Sequence, residues 1–303
     1  MSNRLNLDEL SKLATDLQNI DLESANVDAI TQEWRKFVFG YAPIFGSRSH
    51  ESIAIRARVC DGVDKWSSLK EMIYHKDGSP NFGRANLCGE KVLYASWNGR
   101  TALEEIGAKA GDKIQIINLR IRKGSSVPNI VVGEYQRHYM GGRLTYEDPR
   151  IRHHMERLKC TEPENYIGWT YIDSVLAELF REPVKKGCEH KYKITAAFTK
   201  WILQSNAILV YPSVATISAM NFAIPAAVFD TQFEVLDTAV IELRKYHGFG
   251  IYDCSEPLHY SRDFDCDGTI NWISPKKRLE WGLNDRGGHA LQEADFEGWR
   301  VIK

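Results

Sequence analysis

The segment "GRANLCGEKVLYASWNGRTALEEIG" (83–107) sets three chemically useful side chains at short intervals. Arg84 lies in a Gly83-Arg84-Ala85-Asn86 turn, where glycine allows close backbone approach and a guanidinium can grip a phosphate through two donors. Tyr94 closes a short apolar strand and offers a flat face to a heteroaromatic ring. Glu105 follows in a helix start, a carboxylate that can be held beside a reacting centre. Further along, Tyr211-Pro212-Ser213 makes a sharp turn after a buried apolar run and supplies a small hydroxyl. Upstream, Arg56 and Arg58 alternate with apolar residues. A phosphate clamp, a ring platform and a lone carboxylate are the parts needed to break the N-glycosidic bond of a nucleotide. That bond cleaves through an oxocarbenium-like state, in which a pre-placed carboxylate meets growing positive charge. Each residue also has a plain structural reading: Glu105 as an exposed helix carboxylate, Tyr94 as a core aromatic with its hydroxyl at the rim, Ser213 as a turn former.

The elements that must position these residues are legible by periodicity. Leu7, Leu10, Leu13 and Leu17, then Val27, Ile30 and Trp34, recur at helical steps over 7–37. "ESIAIRARV" (51–59) alternates, with Ile53, Ile55, Ala57 and Val59 on one face and the two arginines on the other. A solvated sheet edge is the structural reading of that pattern. "KVLYASW" (91–97) and "KIQIINLRI" (113–121) are further strands, and the spacing predicts that Thr101 caps the helix bearing Glu105, with Glu104 in capping-box register. Residues 123–170 read as a long polar and aromatic loop region, a lid or insertion. "YIDSVLAELF" and "KITAAFTKWILQS" read as amphipathic helices, followed by a buried strand, a small-residue segment and further strands. Strands and helices without a regular βαβ beat indicate α+β.

The 303 residues are 43% hydrophobic and 26% charged with a formal charge of -1, which argues against bulk nucleic acid or an anionic membrane as partner. The apolar runs are too short to span a bilayer and "MSNRLNLDELSKL" lacks an apolar signal region, so a cytoplasmic protein is expected. The six cysteines form no Cys-x-x-Cys pair and read as reduced thiols; Cys188 and His190 alone do not make a zinc site. Near the end, Asp263, Asp265, Asp267, Gly268 and Ile270 match the front half of a calcium loop, but Ser274 stands where the closing glutamate belongs. An Asp-rich turn without metal is the favoured reading, with calcium as the alternative.

Taken in order, "IAIRARV", "GRANLCGEKVLYAS…TALEEIG" and "NAILVYPSVATISAMNFAIP" resemble the RES domain, named for arginine, glutamate and serine. The matching positions are Arg56, Gly83, Arg84, Asn86, Gly89, Tyr94, Ala102 through Glu105, Tyr211-Pro212-Ser213 and Asn221. The resemblance implies an ADP-ribosyltransferase-like split β-sheet core over 49–240, preceded by a helical extension (1–48) and followed by an extension packed on the core (241–303). It implies NAD+ as substrate, no required metal, and Glu105, Tyr94 and Ser213 as catalytic residues. Arg84, Arg56 or Arg58, Gly83 and Asn86 would contact the NAD+. Family members are often toxins of toxin–antitoxin pairs, so a helix-turn-helix antitoxin is an implied partner, and a homodimer is left open. Three activities fit: release of nicotinamide by water or phosphate, ADP-ribosyl transfer to a protein, or nucleotide binding without turnover.

Overall fold

The computed structural model describes residues 6–49, 52–146, 148–203 and 206–273, together with the backbone of 279–280 and 300–301. The class is α+β. The described helices, in chain order, are α1 (Leu7–Gln18), α2 (Val27–Phe37), α3 (Gly99–Glu105), α4 (Glu134–Tyr139), α5 (Pro149–Thr161), α6 (Pro163–Arg181), α7 (Lys193–Ile202) and α8 (Ala226–Gln232). The strands are β1 (Ile44–Ser49), β2 (Ile53–Val59), β3 (Val92–Ser96), β4 (Lys113–Ile121), β5 (Ser126–Val131), β6 (Ile208–Pro212), β7 (Met220–Pro225), β8 (Phe233–Tyr246), β9 (Tyr252–Cys254) and β10 (His259–Ser261). A short antiparallel pair, β11 (Leu279–Glu280) with β12 (Arg300–Val301), follows in the tail. Contacts divide the chain into two discontinuous units, residues 1–46, 78–90 and 128–214 in the first and 47–77, 91–127 and 215–303 in the second. The expected segments 1–48, 49–240 and 241–303 therefore do not coincide with the compact units.

In the first unit the N-terminal helices are structural. Asn6 and Asn26 cap α1 and α2 by accepting from the backbone N–H of Asp8 and Ala29. Leu10, Ala14, Leu17, Ile30, Trp34 and Phe37 form the buried stripe, and Trp34 donates its ring N–H to the Ile194 carbonyl at 2.8 Å. The 123–170 region is not a loop: it holds β5, α4, α5 and the start of α6. Their core joins Ile44, Tyr135, Leu144, Met155, Leu158 and Tyr166. The local signal for α4 is weak because its N-cap is Gly133, left-handed at φ 91 and without a capping side chain. The cap comes from α6 instead. Asp173 accepts from the backbone N–H groups of Gly133 (2.8 Å), Tyr135 (2.8 Å) and Gln136 (3.2 Å) and from the Tyr41 hydroxyl (3.0 Å). Beside these helices β5 and β6 run parallel.

In the second unit the strand order is β7-β3-β2-β4-β8-β10, with β9 pairing β8. The alternation of β2, β3 and β4 lies where the sequence puts it, because one face must be apolar: Ala57, Ile114, Ile116, Ile241 and Leu243 pack under Ala102 and Leu103 of α3. The segment after Ile224, expected as strand, first turns through α8, which begins directly after Pro225.

One buried carboxylate here carries a pH signature. Asp237 on β8 accepts from the Asn118 side chain at 2.6 Å, and burial pushes it up from 3.8 to about 6, against the pull of that bond and of Arg262. The folded state thus keeps this proton longer than the unfolded chain does. As pH rises from about 4 to about 6 the unfolded state releases it first, so stability falls through that window, by roughly 3 kcal/mol for this group. Urea unfolding of wild type and Asp237→Asn across pH 4–7 should show the slope steeper in the wild type.

Candidate functional site

Cross-strand pairing decides which predicted residues share a face. Asn221 stands opposite Ser96, Ser96 opposite Ile55, and Ile55 opposite Asn118. Directly opposed residues project the same way, so Ser96 and Asn221 lie on the α3 side, and Tyr94, two residues before Ser96, joins them. Over this face the last residue of α3 reaches back to the sheet. The Asn221 amide donates to a Glu105 carboxylate oxygen at 2.6 Å, and the Ser96 hydroxyl donates to the Asn221 side-chain oxygen at 2.7 Å. Ser96 fixes which end of the amide faces the glutamate. Ser96 and Asn221 are buried, whereas Glu105 is exposed at the end of its helix. The result is a solvent-facing carboxylate held by the Asn221 amide, over the sheet face that also carries the half-buried Tyr94.

The helix holding Glu105 starts differently from the expectation. Asn98, in extended backbone, accepts from the Thr101 N–H and is the N-cap; Thr101 is buried inside the first turn. Asparagine at the exit of a strand reaches the N3 amide, so Thr101 is not needed there.

The arginines divide. Arg56 and Arg58 alternate with Ile55 and Ala57, so they leave the opposite side of β2. Arg56 nevertheless donates to the Tyr94 carbonyl at 2.8 Å, and its Nε is buried without a hydrogen-bond partner. Burial lowers this guanidinium to about 10, the Arg58 charge adds to the effect and Tyr94 opposes it. Arg58 is committed elsewhere: it stacks 4.2 Å over Trp66 and donates to the Glu71 carbonyl.

No family model, no curated protein and no solved structure matches the chain.

In the first unit, the Gly83–Asn86 turn is closed by reciprocal backbone bonds of 3.0 and 3.4 Å. The loop carrying it is pinched at its base, where a Cβ on Gly78 (φ 84) would sit 2.1 Å from the Gly89 carbonyl oxygen. Asn86 donates to the Asn81 and Leu87 carbonyls. Arg84 spans the C-terminal end of α6, donating to Phe180 (2.7 Å) and Glu182 (3.0 Å) carbonyls with its guanidinium 5.0 Å over the Tyr192 ring. A cation there meets unpaired carbonyls and the negative end of the helix dipole. This is a structural task that the phosphate-binding expectation did not contain. Arg84→Ala should cost about 2 kcal/mol of stability, as charge-assisted bonds to otherwise unpaired carbonyls are lost, and denaturant titration would read it. Ser213 is buried directly after β6.

The aspartates of the tail serve their own turn. Asn271 donates to Asp263 (3.1 Å) and Asp265 (3.0 Å), and Asp267 accepts from the Thr269 N–H. Ser274 lies outside the described residues. Among the described residues no cluster of His, Cys, Asp and Glu is set to hold a metal ion, no helix is long and apolar enough to cross a membrane, and the six cysteines are unpaired. Ser96 is the participant that the sequence reading left out, although strand alternation from Tyr94 points to it.

Proposed function

We propose that the protein degrades NAD+, releasing nicotinamide at a RES-type site whose reacting carboxylate is Glu105. The observation that carries this reading is the Ser96–Asn221–Glu105 chain. It orients an exposed carboxylate over the sheet face that carries Tyr94, as stabilising an oxocarbenium-like ribose requires. A pre-oriented anion needs no rearrangement as the charge develops, so it favours the transition state over the bound substrate. Tyr94 supplies the ring platform for nicotinamide. Neither strand arginine stands on the Glu105 face: Arg56 leaves the opposite side of β2 and donates to the Tyr94 carbonyl, and Arg58 is spent on Trp66 and Glu71, so the carboxylate and not an arginine carries the reading. The resemblance in residue order, with Arg56, Tyr94, Glu105 and Asn221 falling in the family's sequence, supports the same assignment.

The test is the fate of NAD+ incubated with purified wild-type and Glu105→Gln protein, with and without phosphate, resolved by chromatography. Nicotinamide from the wild type alone supports the reading, and the accompanying product identifies water or phosphate as acceptor. NAD+ left intact by the wild type would overturn it in favour of binding without turnover or transfer to a protein target.

A further inference from the structure

The β8–β9 hairpin lies beyond the segments that resemble the RES domain, yet its tip is built around α3. Helix α3 has seven residues, two turns, too short to keep its shape or orientation alone. Arg100 and Glu104, four residues apart, form one flank of it, and Glu105 is the next residue round the helix. That flank is gripped by the hairpin. The Tyr246 hydroxyl donates to Glu104 at 3.1 Å, and the Tyr252 ring stacks on that of Tyr246 at 4.9 Å with 27° between planes. Burial first, and the Glu104 charge next, push the Tyr252 phenol up. At the tip Arg100 donates to the Phe249 carbonyl.

The tip is strained for this contact. Gly248 (φ 87), Phe249 (φ 54) and Gly250 (φ 69) are left-handed in succession, and the phenylalanine is 89% exposed. A bulky residue in that region costs energy, and so exposed a ring recovers little by packing. What the conformation achieves is the direction of the Phe249 carbonyl. A Cβ on Gly250 would lie 2.0 Å from the Arg100 Nε, so a side chain there would push the Arg100 guanidinium off the tip, and the left-handed backbone (φ 69) adds strain. Behind the tip, Tyr252 and Cys254 pack on the core that contains Ala102 and Leu103. Helix α3 is therefore held on one flank by the hairpin and at Glu105 by Asn221.

We propose that the hairpin tip, through Tyr246 on Glu104, braced by the Tyr252 ring, and the Phe249 carbonyl on Arg100, is the positioning element that sets the orientation of α3 and so of Glu105. This rests on the NAD+-degrading reading. With side chains a helix has a radius of about 5 Å, so a rotation of about 15–20° carries a side-chain tip about 1–2 Å. Misplacement on that scale costs catalysis heavily while leaving most substrate contacts in place.

Two variants test it: Tyr246→Phe/Tyr252→Phe, which keeps the stacked rings and removes the hydroxyls, and Gly250→Ala, which displaces the Arg100 guanidinium from the tip. Amide hydrogen exchange over 99–107 and steady-state NAD+ kinetics are measured for both. Exchange over 99–107 should quicken about tenfold or more while β2 and β4 stay protected. Turnover should fall about tenfold or more with KM within about twofold. Unchanged exchange in both variants, or unchanged kcat against an active wild type, would overturn the proposal. So would a loss confined to melting temperature, which would make the hairpin a stabilising element only. A wild type inactive on NAD+ would sink the parent reading and with it the catalytic purpose, while exchange over 99–107 would still report whether the clamp exists.

Discussion

Asp173→Ala is expected to lower the melting temperature by about 10 °C, corresponding to a loss of about 3–5 kcal/mol. The carboxylate is fully buried, and burial raises its pKa while the four hydrogen bonds it accepts pull the other way. Removing it leaves three backbone N–H groups at the start of α4 and the Tyr41 hydroxyl without their acceptor in a dry interior, where each unmade bond costs about 1–3 kcal/mol. Asp173→Asn separates charge from geometry. Its amide has one acceptor oxygen, so the NH2 group must face amide donors that the second carboxylate oxygen now accepts. The asparagine variant should therefore lose most of what alanine loses. Thermal unfolding followed by circular dichroism measures both; an asparagine variant as stable as wild type would show that one oxygen suffices. The effect should also be local at its onset, with α4 amides losing exchange protection before those of α1 and α2.

The same carboxylate explains why 123–170 was illegible. A helix announces itself through a capping side chain beside it or an apolar stripe along it. α4 has six residues and a glycine cap. Its true cap is 40 residues away from Gly133 on another helix, a relation no local window contains. α8 failed for a related reason: it is seven residues between two strands, and its apolar Ala226, Ala227, Val228 and Phe229 read as well in one period as in the other. Where alternation had to match a buried face, as in β2 and β4, the strands were plain from the text. The site divides in the same way. Tyr94 and Glu105 could be singled out because their types and spacing are unusual around one strand. The partner of Glu105 is 116 residues away, and only the pairing of β3 with β7 brings Asn221 beside Ser96. Arg84 marks the limit of reading a residue from its type: a guanidinium suited to phosphate also spans two carbonyls at a helix end, and the sequence does not say which it meets.

On the proposed NAD+-degrading function, Glu105→Gln is expected to reduce kcat by about 10²–10³ with little change in KM. Glutamine has the shape of glutamate and keeps a carbonyl oxygen for the Asn221 amide, so α3 and the contact at 2.6 Å can persist. What disappears is the negative charge, which matters most when positive charge appears on the ribose. A group acting mainly in the transition state must show its loss in kcat; one that only binds substrate shows it in KM. Asn221→Ala provides the complementary case. It leaves the carboxylate and removes the Asn221 tether, so Glu105 is held less firmly, and the loss should be smaller, about tenfold, through orientation alone. A double variant then decides whether the two act as a unit. If Asn221 works only by orienting Glu105, adding Asn221→Ala to Glu105→Gln should cost nothing further, because no charge is left to orient. Independent losses that multiply would mean that Asn221 touches the substrate itself. A kcat unaffected by Glu105→Gln would remove the carboxylate from the chemistry and leave the chain of three side chains as a fastening between α3 and the sheet.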